Sequence, residues 1–337
     1  MSKDGPNERR GHGLFLAGDP GGAAALLPVI QQWPKPTKVF AYRHALQMFR
    51  DAGLTVKSLD EMNATLAQAE TLLRQEQPAF LCAATSANKV DWERYFFVAS
   101  RRLGIPSVGL LDYWSNYAAR FTLESKLDAL PDTIAIMDER ARAEMIADGF
   151  PAERLSITGQ PVLDQVRRWH ADLPAGSRSG FRARFGMSDE MRVFLFVSQP
   201  LREMRSTVGA ATESSTDEFA CLKQLLEAVD RVASPKLLLI KLHPRESADK
   251  YQALLSSVAF PTLTVELQQH RWELCLAADA VLGMDSMLLE EALAMGCAVE
   301  RIRPGQPLSL SGSYHPPSTK TSPPATELIG RLPAFQG

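Results

Sequence analysis

The chain has 337 residues, room for about two Rossmann-sized domains or one large one. Its 37 Lys and Arg against 39 Asp and Glu leave a formal charge of −2, which offers no electrostatic footprint for a long polyanion and argues against nucleic acid as a partner. At 45% hydrophobic and 23% charged residues the composition is that of a globular protein. No run of about 18 uncharged apolar residues suits a membrane span, and the polar start MSKDGPNERRGHG lacks a signal-peptide core, so a cytoplasmic protein is expected. Peripheral membrane contact stays open, and the sequence fixes no oligomeric state.

In chain order, short apolar runs alternate with amphipathic stretches. The pattern predicts strands at 13–18, 38–42, 55–59, 79–86, 105–112, 132–138 and 155–161. Helices are predicted from Asp19 onward, at 43–52, about 61–76, 91–103 and after Asp138, the last closed by Gly149. From 165 to 190 the texture turns polar, with Gly and Ser, and reads as a linker. The alternation then restarts, with strands at 191–200, 236–244, 262–266, 280–283 and 298–302 and helices at 218–233, 247–257, 270–277 and 286–296. Pro and Ser dominate 304–327, the signature of a loop or tail, with a short helix expected at 325–331. The expected architecture is α/β, two Rossmann-like βαβ domains facing a cleft. It comprises a first βαβ domain at 10–164, a linker at 165–190, a second βαβ domain at 191–303 and a tail at 304–337.

The four cysteines are far apart, the six histidines are scattered, and neither CxxC nor HExxH occurs. No transition-metal site is expected. A magnesium ion held by a carboxylate or two and a substrate phosphate is compatible with the sequence but not required.

In the segment LLLIKLHPRE an apolar strand runs into Lys241, His243, Pro244 and Arg245. Cationic groups at the carboxyl end of a parallel strand suit a phosphate or diphosphate, although a solvated loop would carry the same residues. In AADAVLGMDSMLLEEALAMGCAV a strand meets a helix at a tight turn. Gly283 lets the backbone bend, Asp285 or Ser286 can cap the helix, and the N–H groups from Ser286 through Met287 to Leu288 form an anion site with the helix dipole. Glu290 and Glu291 lie about one turn in, placed either to accept from ribose hydroxyls or to complement the dipole.

In this half the sequence resembles GT-B glycosyltransferases, nearest in kind to bacterial polysialyltransferases, capsule Kdo transferases and CDP-glycerol glycerophosphotransferases, with UDP-GlcNAc 2-epimerases as relatives. The resemblance is close over part of the carboxyl-terminal half and reaches the rest only as a domain pattern. It implies that His243 and Pro244 form the HP motif and Ser286 the serine motif that hold the donor phosphate, and that Glu290 or Glu291 contacts the ribose. Related families often carry two adjacent serines where this chain has Asp285-Ser286, which leaves the donor open among CMP-, CDP- and UDP-linked sugars.

Three further segments complete the candidates. LAGDPGGAAALL is a Gly-rich turn that is neither a P-loop nor GxGxxG. By the resemblance its Asp19, Gly21 and Gly22 face substrate, whereas by itself it is equally a tight turn without ligand. LLDYWSNYAARF supplies Asp112 as general base, with Asp138 as the fallback, and Tyr113, Trp114, Asn116, Tyr117 and Arg120 as sugar-binding groups or as plain packing. A long polar loop at 198–219 offers Gln199 and Arg202 to a donor phosphate or an acidic sugar. The expected function is a nucleotide-sugar-dependent glycosyltransferase acting on a carbohydrate-type acceptor. A nucleotide-sugar 2-epimerase and a non-catalytic paralogue are the alternatives.

Overall fold

The computed structural model describes residues 10–202, 217–232, 235–243, 246–265, 270–303, 308 and 310. The expected polar loop beyond Arg202 and the tail with its terminal helix lie largely outside these residues. The chain divides into two compact units, with the boundary between Gln165 and Val166.

The first unit alternates strands and helices: β1 (Arg10–Ala17), α1 (Pro20–Gln32), β2 (Thr37–Ala41), α2 (Arg43–Asp51), β3 (Val56–Ser58), α3 (Leu66–Glu76), β4 (Pro78–Ala84), α4 (Trp92–Leu103), β5 (Ser107–Leu110), β6 (Thr133–Ile136), α5 (Glu139–Ala147) and β7 (Leu155–Ile157). Its seven strands lie in the order β3-β2-β1-β4-β5-β6-β7, and every neighbouring pair is parallel. A parallel sheet covered by helices on both faces must be apolar on both, which is why β1 reads as a continuous apolar run. Leu14 and Leu16 enter one core cluster with Phe96 and Phe97 of α4, and Phe15 and Ala17 enter the other with Leu26 and Val29 of α1. Each such buried aromatic contributes about 1.5–3 kcal/mol.

The second unit contains the rest of α6 (Pro161–Ala171), then α7 (Ser177–Arg184), β8 (Arg192–Val197), α8 (Glu218–Asp230), β9 (Lys236–Lys241), α9 (Gln252–Leu255), β10 (Thr262–Val265), α10 (Arg271–Ala277), β11 (Ala280–Gly283), α11 (Met287–Ala294) and β12 (Val299–Arg301). Its sheet runs β10-β9-β8-β11-β12, again all parallel.

Three segments differ from the sequence pattern. The stretch 165–190 holds the end of α6 and all of α7 rather than an irregular connection. Trp169 stacks on Phe181 at 6.3 Å, and the buried Arg182 donates to the carbonyls of Ala277 at 2.8 Å and Ser188 at 2.6 Å. These contacts are tertiary, so periodicity does not announce them. The helix expected from about 61 is a 3-10 turn (Glu61–Asn63) followed by α3, because Thr65 caps α3 through the Gln68 N–H. The helix expected over 247–257 is confined to α9. No helix among the described residues is long and apolar enough to cross a membrane. All four cysteines are free, and burial pushes the Cys82 thiol up to about 12.

Candidate functional site

Open parallel sheets place ligands outside the carboxyl ends of their strands, where the strand order reverses. In the second unit that point lies between β8 and β11. β11 ends at Gly283, where an added Cβ would come within 2.9 Å of the Val197 carbonyl, so the close strand approach requires glycine. Ser286 is the N-cap of α11, and its Oγ accepts from the Leu288 N–H at 3.3 Å. That bond leaves the hydroxyl hydrogen able to donate to an anion, beside the dipole of a helix that starts at Met287.

Gln199, just past β8, grips the same turn: its Oε1 accepts from the Asp285 N–H at 3.0 Å and its Nε2 donates to the Asp285 carbonyl. Arg301 pairs with Asp285 at 2.9 Å and also with Glu290. Glu291 is buried and accepts from Arg271 Nε at 2.9 Å and from the Trp272 indole. Neither acid is thus an unengaged ribose acceptor. Lys241 is buried within the end of β9, and its Nζ donates to the Leu242 carbonyl at 3.2 Å. Burial, and then Arg271, lower its pKa. Arg202 is held by Asp217 at 2.6 Å with its guanidinium 4.2 Å from the Phe219 ring centroid, which ties it to the start of α8. His243 follows β9, half-buried, whereas Pro244 and Arg245 lie outside the described residues.

Sequence reasoning passed over the acid beneath His243. The buried Glu246 accepts from the His243 N–H at 2.6 Å, from Ser198 Oγ at 2.9 Å and from Lys250 Nζ at 2.6 Å. Lys250 also reaches the fully buried Glu218 at 2.8 Å, and Tyr251 Oη lies 2.5 Å from Ser198 Oγ. The available signal was the carboxylate three positions after the histidine in KLHPRE.

In the first unit the reversal lies between β1 and β4. Gly21 and Gly22, expected in a turn, lie in the first turn of α1, which packs so closely that a Cβ on Gly21 would lie 2.2 Å from Asp112 Oδ2, and one on Gly22 would lie 2.7 Å from the Ala84 Cβ. Asp112, at the end of β5, accepts from Arg120 at 2.5 Å, and Arg120 also donates to the Thr85 carbonyl at 2.8 Å. Gln160 donates to the Asp112 carbonyl at 2.7 Å. Asp19 sits 3.9 Å from Arg43. The structure therefore brings Gly21, Gly22, Asp112 and Arg120 together.

Of the remaining candidates, Asp138, Trp114 and Tyr117 are tied to α5 or its cap. Asp138 caps α5 through the Ala141 N–H at 2.8 Å and accepts from the Trp114 indole at 3.0 Å, bonds that occupy the fallback base. Tyr113 packs edge-on against Trp114 at 5.7 Å. Tyr117 donates to Glu144 at 2.5 Å, and burial followed by that bond raises its phenol pKa. Asn116 is exposed with φ +54°.

A buried acid also lies at this end of the sheet. Glu93, in the first turn of α4, accepts from Tyr42 Oη at 2.7 Å and Ser86 Oγ at 3.2 Å, and Asn88 donates to both hydroxyls. Burial pushes its carboxyl up to about 7, against the lowering effect of the Tyr42 bond. Among the described residues no group of His, Cys, Asp and Glu could hold a metal ion.

Two parallel, doubly wound units with turn-borne polar groups at their strand ends define the GT-B class of Rossmann-like folds. The solved structures it resembles include several UDP-GlcNAc 2-epimerases. The UDP-GlcNAc 2-epimerase of Neisseria meningitidis bound to UDP-GlcNAc matches with a TM-score of 0.60 at 17% identity, over 86% of this chain and 81% of that one. Anabaena Alr3699/HepE in complex with UDP and glucose matches with a TM-score of 0.62 at 14% identity, over 86% and 80%. The UDP-GlcNAc 2-epimerase of Methanocaldococcus jannaschii matches with a TM-score of 0.59 at 13% identity, over 86% and 83%. No protein-family model and no curated protein sequence matches the chain.

Proposed function

We propose that the chain is a nucleotide-sugar-dependent enzyme whose second unit holds the nucleotide and whose first unit supplies Asp112 as proton acceptor. The observation that carries this reading is the strand order β10-β9-β8-β11-β12, in which His243 and Ser286 follow the two strands that flank β8. Ser286 Oγ–H, the first amides of α11 and His243 stabilise the negative charge that develops on the phosphate as the bond from the sugar's anomeric carbon to the donor phosphate oxygen breaks. Asp112 is oriented by Arg120 and takes a proton in the same reaction.

The two chemistries compatible with these roles differ in which proton Asp112 removes. In glycosyl transfer it is the acceptor hydroxyl's, which frees the oxygen to attack the anomeric carbon. In 2-epimerisation it is the proton on C2. We favour glycosyl transfer on the motif resemblance, and the fold shared with several 2-epimerases supports epimerisation as the second reading. The test is incubation with CMP-, CDP- and UDP-linked sugars in D2O, followed by NMR with and without glycan acceptors. Nucleotide release that needs an acceptor supports transfer. Deuterium at C2 without acceptor establishes epimerisation, and binding without product leaves a non-catalytic nucleotide-sugar binder.

A further inference from the structure

We propose that Glu246 is a positioning residue of the second unit's anion site, setting the direction in which the His243 side chain leaves the backbone. The geometry is a two-sided grip. The Glu246 carboxylate accepts from the His243 N–H at 2.6 Å, and the Glu246 N–H donates to the His243 carbonyl at 2.9 Å. With both main-chain polar groups of His243 bound by one residue, the rotation of its peptides is fixed, and with it the Cα–Cβ direction.

The grip is itself anchored. Ser198, the first residue past β8, donates to the other carboxylate oxygen at 2.9 Å, and Lys250 donates to it at 2.6 Å. The next residue, Gln199, holds the Asp285 peptide beside Ser286. Two consecutive residues of the central strand's extension thus reach the two flanking turns, Ser198 through Glu246 toward His243 and Gln199 toward Ser286. The spacing between the histidine and the helix N-terminus is thereby referred to one rigid strand, the arrangement a site for a diphosphate needs if its donors are to meet separate oxygens. Glu246 and Glu218 share Lys250 in the interior, and the Ser198 hydroxyl and the His243 N–H add hydrogen bonds to the Glu246 carboxylate, which fixes it from both sides.

This inference rests on the nucleotide-binding reading, and its test separates the two. UDP and CDP are titrated calorimetrically into wild type, Glu246→Ala, His243→Ala and the double variant. Because Glu246→Ala disturbs a buried cluster, Ser198→Ala, which removes only the anchor hydroxyl, is measured alongside. Glu246→Ala is expected to weaken binding about tenfold or more, and Ser198→Ala by less. In the His243→Ala background, Glu246→Ala should have no further effect, because a residue that acts through another loses its influence when that other is gone. An equal loss in both backgrounds overturns the proposal.

Amide hydrogen exchange on the unliganded chain supplies the independent arm. The His243 N–H should be protected in wild type and exchange at least about tenfold faster in Glu246→Ala, relative to amides of β8 in the same sample. A wild-type His243 amide that exchanges freely overturns the positioning role even if nucleotide binds. Failure of wild type to bind either nucleotide overturns the nucleotide reading, while the exchange result still decides the role of Glu246.

Discussion

The two units share a strand order and differ in what they place at its reversal. In each, the first strand lies between the second and the fourth, so β1 with its neighbours β2 and β4 repeats as β8 with β9 and β11. At the first reversal stand a glycine turn, a carboxylate paired with arginine and a buried acid hydrogen-bonded by tyrosine and serine. At the second stand a serine-capped helix and a histidine held by a buried carboxylate. One topology thus carries two different sets of polar side chains, to which we assign proton transfer at one sheet and anion binding at the other, since function follows from the grafted side chains rather than from the fold.

Exchanging or erasing these features one at a time tests that division. The largest effect is expected from Asp112→Asn, which keeps the shape but cannot take a proton. Turnover should fall by about two to four orders of magnitude in a steady-state assay, with UDP or CDP affinity unchanged. Reduced affinity would mean that the first unit also binds nucleotide.

Next comes Glu93→Gln. Because the folded pKa is raised from 4.5 to about 7, the folded chain keeps this proton after the unfolded chain has lost it. Stability from this group is therefore full below pH 4.5 and falls as pH rises toward 7, by on the order of 3 kcal/mol in all. Glutamine mimics the protonated acid, so urea titrations at pH 8 should find the variant more stable than wild type and its pH profile flatter. An unchanged profile would show that Glu93 is ionised in the fold.

His243→Ala should lower nucleotide affinity by about ten- to a hundredfold, the weight of a hydrogen bond to a charged group, with little change in Tm. The smallest effect belongs to Ser286→Ala, about 1 kcal/mol of stability from the lost cap, together with a weaker nucleotide titration. A Tm loss with intact binding would reduce Ser286 to a helix cap and leave the anion site to His243 and the α11 amides.

The parallel strands were legible because burial on both faces writes them as unbroken apolar runs, β1, β4 and β8 above all. α7 was not, since SRSGFRAR buries little but Phe181 and Arg182, and Arg182 is accommodated only by carbonyls supplied from elsewhere in the fold. The site divides in the same way. Strand ends announce Asp112, His243 and Ser286 by position. The partners of Glu290, Glu291 and Gln199 lie far along the chain, so nothing local in the sequence indicates that they are already engaged. Glu246 was visible as a letter, but its tie to Ser198 crosses two strands.

The close approach of the first glycine turn to the strand ends has an evolutionary consequence. Asp112 Oδ2 occupies the space a side chain on Gly21 would need, and Ala84 occupies that of one on Gly22. Each glycine and its opposite residue therefore form a single unit of inheritance. A lineage that enlarges position 21 must shorten position 112 or swing its carboxylate aside, away from the place where Arg120 holds it. Covariation between these two positions would record when that carboxylate was placed or displaced.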